Sequence, residues 1–469
     1  MSWGSILNVF TSYYRGRIKF SSLIDLLSAR MKTRRSVFML LSFCLVLISC
    51  NTSKQTIQAQ ENSLQKVWAK LDLFSKHHTG LSIYDLEKGS WVFNYRDDNY
   101  FVPASCTKIL TMYATLRYMD EQIPAAYYKY KGDTILVWGG GDPGTFYPDI
   151  NEQSPFIDFL KSTEKSILFS NAQFNTTRYG KGWAWDDFPF SYQCERTAFP
   201  IYGNRLWVDR NYDTISITPK YFNQVISVKP DTSESKGRND WGNMYFYNFD
   251  SLIPEAHVTI PISFFENDTK LIWSEALGKN ILWNDLPLIG NALQVKGSSR
   301  DSLIKLMMQE SDNFVSEQLL LACSMDQLRH MSEHDIIDKL LTGPMKDIPD
   351  TIRWVDGSGL SRYNLMTPRS LIWVMRQIIK QKGLSYVKSM FPAAGQSGTL
   401  KADYAGKNGQ PYIFAKSGTL RNTYCLTGIL VPKSGHVLIF SWMNNDFYGD
   451  NTSLKLSMEH LFTFLRDNY

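Results

Sequence analysis

The chain has 469 residues, room for two to four domains at about 100–200 residues each and far more than a small disulfide-stapled module needs. Hydrophobic residues make up 43% and charged residues 20%, a globular balance that excludes wholesale disorder. The net charge of +5 hints at an acidic partner such as nucleic acid, but residues 1–50 hold seven basic residues and one acid; a net of +6 there leaves −1 for residues 51–469 and removes the hint.

From Met31 the sequence runs MKTRRSVFMLLSFCLVLISC, with Lys32, Arg34 and Arg35 before the 12-residue uncharged run Val37–Ile48. That run is shorter than the roughly 20 residues a membrane-spanning helix needs, and it has the form of a secretory signal. Its end, Leu47-Ile48-Ser49-Cys50, resembles the lipobox of bacterial lipoproteins. The resemblance implies cleavage before Cys50, lipid on its thiol, and a periplasmic protein anchored to a membrane. A signal is itself N-terminal, so residues 1–30 read as an over-extended start or unusual leader, 31–49 as the signal peptide and 50–64 as a polar tether. Beyond Cys44 and Cys50, the cysteines Cys106, Cys194, Cys323 and Cys425 form no CxxC and no metal framework, and read as buried free thiols.

Leu81–Leu86 and Trp91–Tyr95 read as strands joined by a Glu-Lys-Gly turn, and a helix is expected from Ser105 to Met119. The middle of the chain carries short strand-like runs (Thr134–Trp138, Gln224–Val228, His257–Ile262) broken by Gly, Pro, Asn and Asp. Helical periodicity returns over Ser302–Cys323 and Ser370–Lys382, and strands follow at Tyr412–Lys416, Tyr424–Val431 and His436–Met443. An amphipathic helix, Leu454–Arg466, closes the chain. Helices and strands at both ends of a β-rich middle predict an α+β fold with an insertion: 65–125 and 291–469 forming one discontinuous domain, 126–290 inserted into it.

Three short motifs carry chemistry. Ser105-Cys106-Thr107-Lys108 sets a hydroxyl and an amine three residues apart on one helical face, where the lysine can deprotonate an otherwise weak nucleophile. Ser311-Asp312-Asn313 can relay a proton and orient an amide, and read alone is a helix N-cap. Lys416-Ser417-Gly418-Thr419, at the end of a strand-like run, offers a cation and hydroxyls for a carboxylate, with Gly418 allowing substrate backbone close. Read alone, each has an ordinary structural explanation.

Together and in this order, S-x-x-K, S-x-N and K-[TS]-G resemble the signature of penicillin-binding proteins and serine β-lactamases. The chain is most similar to the low-molecular-mass class C penicillin-binding proteins, serine D-alanyl-D-alanine carboxypeptidases that often act as D,D-endopeptidases. Gly139–Pro143, Gly182–Asp187 and Asp356–Arg362 with Asn364, Thr367 and Pro368 support the resemblance. Ser105 and Ser311 lie 206 positions apart, which leaves space for the insertion typical of that class and absent from β-lactamases. Ser417 stands where Thr is commoner, and Gln396-Ser397-Gly398-Thr399 replaces a usual Asp-Gly-Thr-Leu segment.

The resemblance implies a transpeptidase-like domain, an antiparallel sheet flanked by helices, with no metal or organic cofactor. It implies a peptidoglycan stem peptide as substrate and β-lactams as covalent inhibitors. Ser105 would attack the penultimate D-alanine carbonyl, with Lys108 as base. Deprotonating an unperturbed lysine at pH 7 costs about 4.6 kcal/mol, so burial beside Lys416 is expected to lower the Lys108 pKa. Ser311 would pass the proton to the leaving amine and Asn313 would orient the substrate. Lys416, Ser417 and Thr419 would bind the terminal carboxylate, with the N–H groups of Ser105 and Thr419 as oxyanion hole. Competing readings are a serine β-lactamase, a non-catalytic peptidoglycan-binding lipoprotein on the same fold, and a zinc peptidase at His330-Met-Ser-Glu-His334. The zinc pattern needs both histidines on one helix, whereas Ser332 and Asp335 look like a helix start inside it. Gly139–Gly141 lacks the Gly-Lys-Ser/Thr of a phosphate loop and reads as a turn.

Overall fold

A computed structural model describes residues 63–469 apart from 151–153, 212–213, 229–235, 240–241, 248–254 and 407–408. The expected leader, signal peptide and lipidation site Cys50 lie outside the described residues. The chain divides into two units, 1–70 and 71–469. In the first, residues 63–69 form helix α1.

The second unit opens with strands β1 (His78–Asp85) and β2 (Ser90–Tyr95), then a 3-10 turn (Ala104–Thr107) that runs into helix α2 (Lys108–Tyr118). Next come β3 (Gln122–Lys131), β4 (Thr134–Gly139), α3 (Pro155–Ser162) and β5 (Ser166–Ser170). Strands β6 (Arg205–Asn211), β7 (Thr214–Thr218), β8 (Ile226–Val228), β9 (Lys236–Arg238), β10 (Tyr245–Tyr247) and β11 (Glu255–Pro261) follow, then α4 (Glu266–Leu277), β12 (Ile281–Trp283) and β13 (Leu293–Ser299). Five helices, α5 (Arg300–Gln309), α6 (Asn313–Leu328), α7 (Glu333–Thr342), α8 (Pro368–Lys382) and α9 (Leu384–Met390), lead to β14 (Ile413–Leu420), β15 (Thr423–Leu430), β16 (Leu438–Asn445) and α10 (Thr452–Asn468).

The two ends of this unit share one antiparallel sheet, ordered β14-β15-β16-β1-β2. Side chains alternate across it. Cys425, Ile429, Ile439 and Met443 enter the main core with α2, α6 and α8, while Phe440 and Trp442 meet Phe462 of α10 at ring-centroid distances of 4.8 and 5.5 Å. Helix α2 is enclosed on all sides, every residue from Lys108 to Leu116 being buried. The β-rich middle forms a mixed sheet, β12-β5-β4-β3-β13, and two three-stranded sheets, β11-β6-β7 and β8-β10-β9, around a second core. Cys106, Cys194, Cys323 and Cys425 are free and buried, as expected.

Two expected elements differ. The helical run over Ser302–Cys323 is two helices, broken at Ser311, whose φ is +58°. Asp312 starts α6 by accepting a hydrogen bond from Val315 N (2.8 Å), because a short polar side chain competes with the helix for backbone N–H groups. The Lys-Ser-Gly-Thr motif does not end its strand. Pairing with β15 continues through Ser417↔Leu426 and Thr419↔Tyr424 to the turn at Leu420↔Thr423, so the motif lies within the edge strand.

Candidate active site

All three motifs converge beside the first turn of α2. Lys108 Nζ donates to Ser105 Oγ (3.0 Å), to Asn313 Oδ1 (2.6 Å) and to the Ser358 carbonyl (2.7 Å). Asn313 is held at both ends, its Nδ2 donating to the Tyr192 carbonyl (2.9 Å), so one amide hydrogen is left for a ligand. Ser105, Ser311, Ser417 and Thr419 line a cavity of about 240 Å³ with Thr399, Asp403, Tyr424 and Lys455. Lys416 is buried, its Nζ donating to the Ser417 carbonyl (2.7 Å). Of the three residues expected to bind the terminal carboxylate, Lys416, Ser417 and Thr419, it is Ser417 and Thr419 that line the cavity.

The space over Gly418 is also filled differently. A Cβ there would lie 2.6 Å from the Pro103 carbonyl and 2.9 Å from Ser105 N. The glycine thus lets the nucleophile turn pack against β14, rather than admitting substrate backbone. Gly359, at φ +85°, is pressed as closely against Ala104, whose carbonyl a Cβ would meet at 1.9 Å.

Burial lowers the Lys108 pKa from 10.5 to about 8 against the pull of Asp356, Asp312 and Glu317. Lys416 falls to about 7, through burial first and then repulsion by Lys108. The expected repulsion between the two lysines thus adds to the fall at Lys416, while at Lys108 burial is the cause of the fall. Neutral Lys108 at pH 7 now costs about 1 kcal/mol.

A buried ionic layer supports this centre. Asp356 accepts from Gly359 N (2.9 Å), Ser361 N (2.6 Å), Asn364 Nδ2 (2.7 Å) and Trp183 Nε1 (2.9 Å). It thereby shapes the Asp356–Arg362 loop around the carbonyl that holds Lys108. Glu317 accepts from Ser358 N (2.7 Å) and pairs with buried Arg196 (3.3 Å); burial and then Asp356 push its pKa up, opposed by Arg196. Asp312 pairs with Arg205 (2.9 Å) and accepts from Tyr147 (2.7 Å). Burial alone would raise its pKa, but Arg205 and these hydrogen bonds hold it below the usual carboxylate value.

Sequence reasoning missed Glu317, Ser358, Thr399, Asp403 and Lys455. Glu317 is an acid on a buried stretch of its helix, next to Ser316 and Gln318, and nothing in the local pattern set it apart. Thr399 gives the unexplained segment a place, since Ser417 Oγ donates to its hydroxyl (2.8 Å). The zinc reading fails on geometry: Ser332 caps α7, so His330 precedes the helix and bonds Asp335 (2.7 Å). Gly140 N and Gly141 N are committed to the Ala125 and Ala198 carbonyls, leaving no phosphate nest there.

The profile of the D-Ala-D-Ala carboxypeptidase 3 (S13) family matches residues 60–245 and 285–467. The chain belongs to that family. This S13 member is a low-molecular-mass class C penicillin-binding protein and a serine-type D,D-peptidase. D-alanyl-D-alanine carboxypeptidase DacB of Haemophilus influenzae is 20% identical over 446 residues, covering 84% of this chain and 90% of that protein. Carboxypeptidase DacB of Mycolicibacterium smegmatis is 32% identical over 151 residues, 30% of this chain and 33% of that protein. In structure, the S13 chain is similar to penicillin binding protein 4 (dacB) of Haemophilus influenzae, with TM-score 0.68, 18% identity, and coverage of 84% of this chain and 99% of that one. The same protein complexed with a β-lactam gives TM-score 0.61 at 18% identity, covering 83% and 96%. The fold is the expected α+β, transpeptidase-like one.

Proposed function

We propose that this enzyme removes the terminal D-alanine from peptidoglycan stem peptides, and opens D-Ala cross-links, through an acyl-enzyme on Ser105. The observation that carries the reading is the environment of Lys108 Nζ. Its three partners match the three N–H bonds of an ammonium. Once one proton is gone, the Asn313 oxygen and the Ser358 carbonyl, which only accept, retain two N–H bonds. The lone pair then faces Ser105 Oγ–H, the one partner able to donate.

Ser105 Oγ would attack the penultimate carbonyl carbon as Lys108 takes its proton. The N–H groups of Ser105 and Thr419 would receive the oxyanion, and Ser311, on the cavity wall, would deliver the proton to the departing amine. Water then hydrolyses the ester, with Lys108 as base again. Ser417 and Thr419 would face the leaving residue's carboxylate, and Lys416 would act from behind β14. A β-lactam would acylate Ser105 in the same way, as the complex formed by the Haemophilus relative supports. Residues 126–290 would be an insertion into the catalytic domain, and the protein would be exported and lipid-anchored at Cys50. Among the described residues no helix is long and apolar enough to cross a membrane.

A fluorescent penicillin tests the nucleophile: it should label wild type and not Ser105→Ala, and equal labelling overturns the assignment. Mass spectrometry of muropeptides before and after digestion tests the substrate. Loss of terminal D-Ala and of cross-linked dimers is expected; unchanged muropeptides would refute the reading.

A further inference from the structure

The leaving residue of a D,D-peptidase substrate carries a carboxylate, and bringing that charge into a small cavity is costly without a charged partner. Ser417, Thr419 and Thr399 offer neutral hydroxyls. The two catalytic-motif lysines are poorly placed for the task. Both are buried, Lys108 bonded to Ser105, Asn313 and Ser358, Lys416 to the Ser417 carbonyl. Burial also lowers their pKa values to about 8 and about 7.

Two charged side chains do line the cavity, Asp403 and Lys455. Lys455 stands on the first turn of α10, and its ammonium donates to Asp403 Oδ2 at 2.7 Å. It also lies 5.4 Å from the ring centroid of Tyr424, the cross-strand partner of Thr419. The side chains of Lys455 and Asp403 are 28% and 22% exposed, so the pair opens to the cavity instead of being sealed in the core. An ammonium has three N–H bonds. With one committed to Asp403, others are available to an incoming anion.

We propose that Lys455, positioned by Asp403, is a specificity-determining residue that reads the α-carboxylate of the leaving residue. The proposal rests on the D,D-peptidase reading above and adds a residue outside the three motifs. Ser417 and Thr419 orient the carboxylate by hydrogen bonds, and Lys455 supplies charge. Asp403 keeps the ammonium from relaxing into solvent, and the neutral pair gives a leaving group without a carboxylate no matching advantage.

The test compares two peptides that differ only at the C-terminus, D-Ala-D-Ala carboxylate and its carboxamide. Wild type should prefer the carboxylate. Lys455→Met should lose about tenfold to a hundredfold in kcat/KM on the carboxylate, the range for a charged hydrogen bond, while the carboxamide changes less than threefold. Lys455→Arg should restore most of the preference, and Asp403→Asn should raise KM for the carboxylate more than it lowers kcat. The ratio is taken within one preparation, so partial misfolding of a variant cancels. An unchanged ratio in Lys455→Met, with wild type active, overturns the role of Lys455 alone. Wild type inactive on both peptides overturns the D,D-peptidase reading and this inference with it.

Discussion

Lys108 Nζ lies 3.0 Å from Ser105 Oγ, one helical turn away on the same face. With its pKa lowered to about 8 by burial, the proposed base is mostly protonated at pH 6 and mostly neutral at pH 9. The rate of penicillin acylation at subsaturating drug should therefore climb nearly tenfold per pH unit below 8 and level off above it. The check is a stopped-flow or gel-based acylation series from pH 5.5 to 9.5. A pH-independent rate over that span would remove Lys108 from the base role.

Glu317 joins Arg196, which lies in the β-rich middle, to the backbone of Ser358. Replacing Glu317 with Leu takes one of two carboxylate partners from a buried guanidinium, leaving Glu333 at 3.3 Å and the neutral acceptors of Thr176, Thr177 and Tyr179, and frees the loop whose carbonyl holds Lys108. Breaking a buried pair from one side costs about 3–5 kcal/mol. Glu317→Leu should lower the free energy of urea unfolding by that amount, and in the fraction that remains folded it should slow acylation. The double variant Arg196→Met/Glu317→Leu should recover part of the stability, because the fully buried pair is removed from both sides and the carboxylate that loses its guanidinium, Glu333, is partly exposed and still accepts from Thr176, but it should not recover the acylation rate. Recovery of both would reduce the pair to a purely structural role.

Much of this site was legible in the sequence because its chemistry is local. Ser105 and Lys108 share a helical turn, and Ser-Asp-Asn announces a cap; both patterns survive without tertiary information. What escaped is what the fold assembles from distant segments. Lys455 reads as an ordinary polar position on an amphipathic helix, and only the packing of α10 over β15 and β16 turns it toward the cavity. Ser358 contributes a carbonyl, which no side-chain pattern reveals. The role of Gly418 was misread for a related reason: its spacing signals close approach, but whether turn or ligand makes that approach depends on the contact between β14 and the 3-10 turn. The cap at Ser-Asp-Asn was legible, but the apolar periodicity running across it made Ser302–Cys323 read as one helical run.

Lys416 is a buried cation whose folded pKa, about 7, lies far below its ordinary 10.5. Its unfolded form binds more protons between those values, so its contribution to stability rises with pH across that window and is least favourable below pH 7. Lys416→Met removes the burden while keeping most of the volume. At pH 6 the variant should unfold at a temperature several degrees higher than wild type, with the advantage shrinking toward pH 10. Acylation should fall at least a hundredfold, a trade of activity for stability. A variant less stable than wild type at pH 6 would contradict the burial argument.

Gly418→Ala tests the contact between β14 and the nucleophile turn. The new methyl would sit 2.6 Å from the Pro103 carbonyl and 3.0 Å from Cys106 N, both backbone atoms with no rotamer to yield. Either strand or turn must move by several tenths of an ångström, and either movement displaces Ser105 relative to Ser417 and Thr419. Overpacking of this kind costs about 1–3 kcal/mol, so the protein should remain folded. Acylation should nevertheless drop about a hundredfold, the scale expected when reacting groups are misplaced by about an ångström. Gly435→Ala, at an open turn with nothing within 4 Å of the added carbon, serves as a control. It carries φ +87°, so it should cost stability without slowing acylation. If Gly418→Ala loses stability and keeps the wild-type acylation rate, the close approach is a packing feature and does not set the geometry of Ser105.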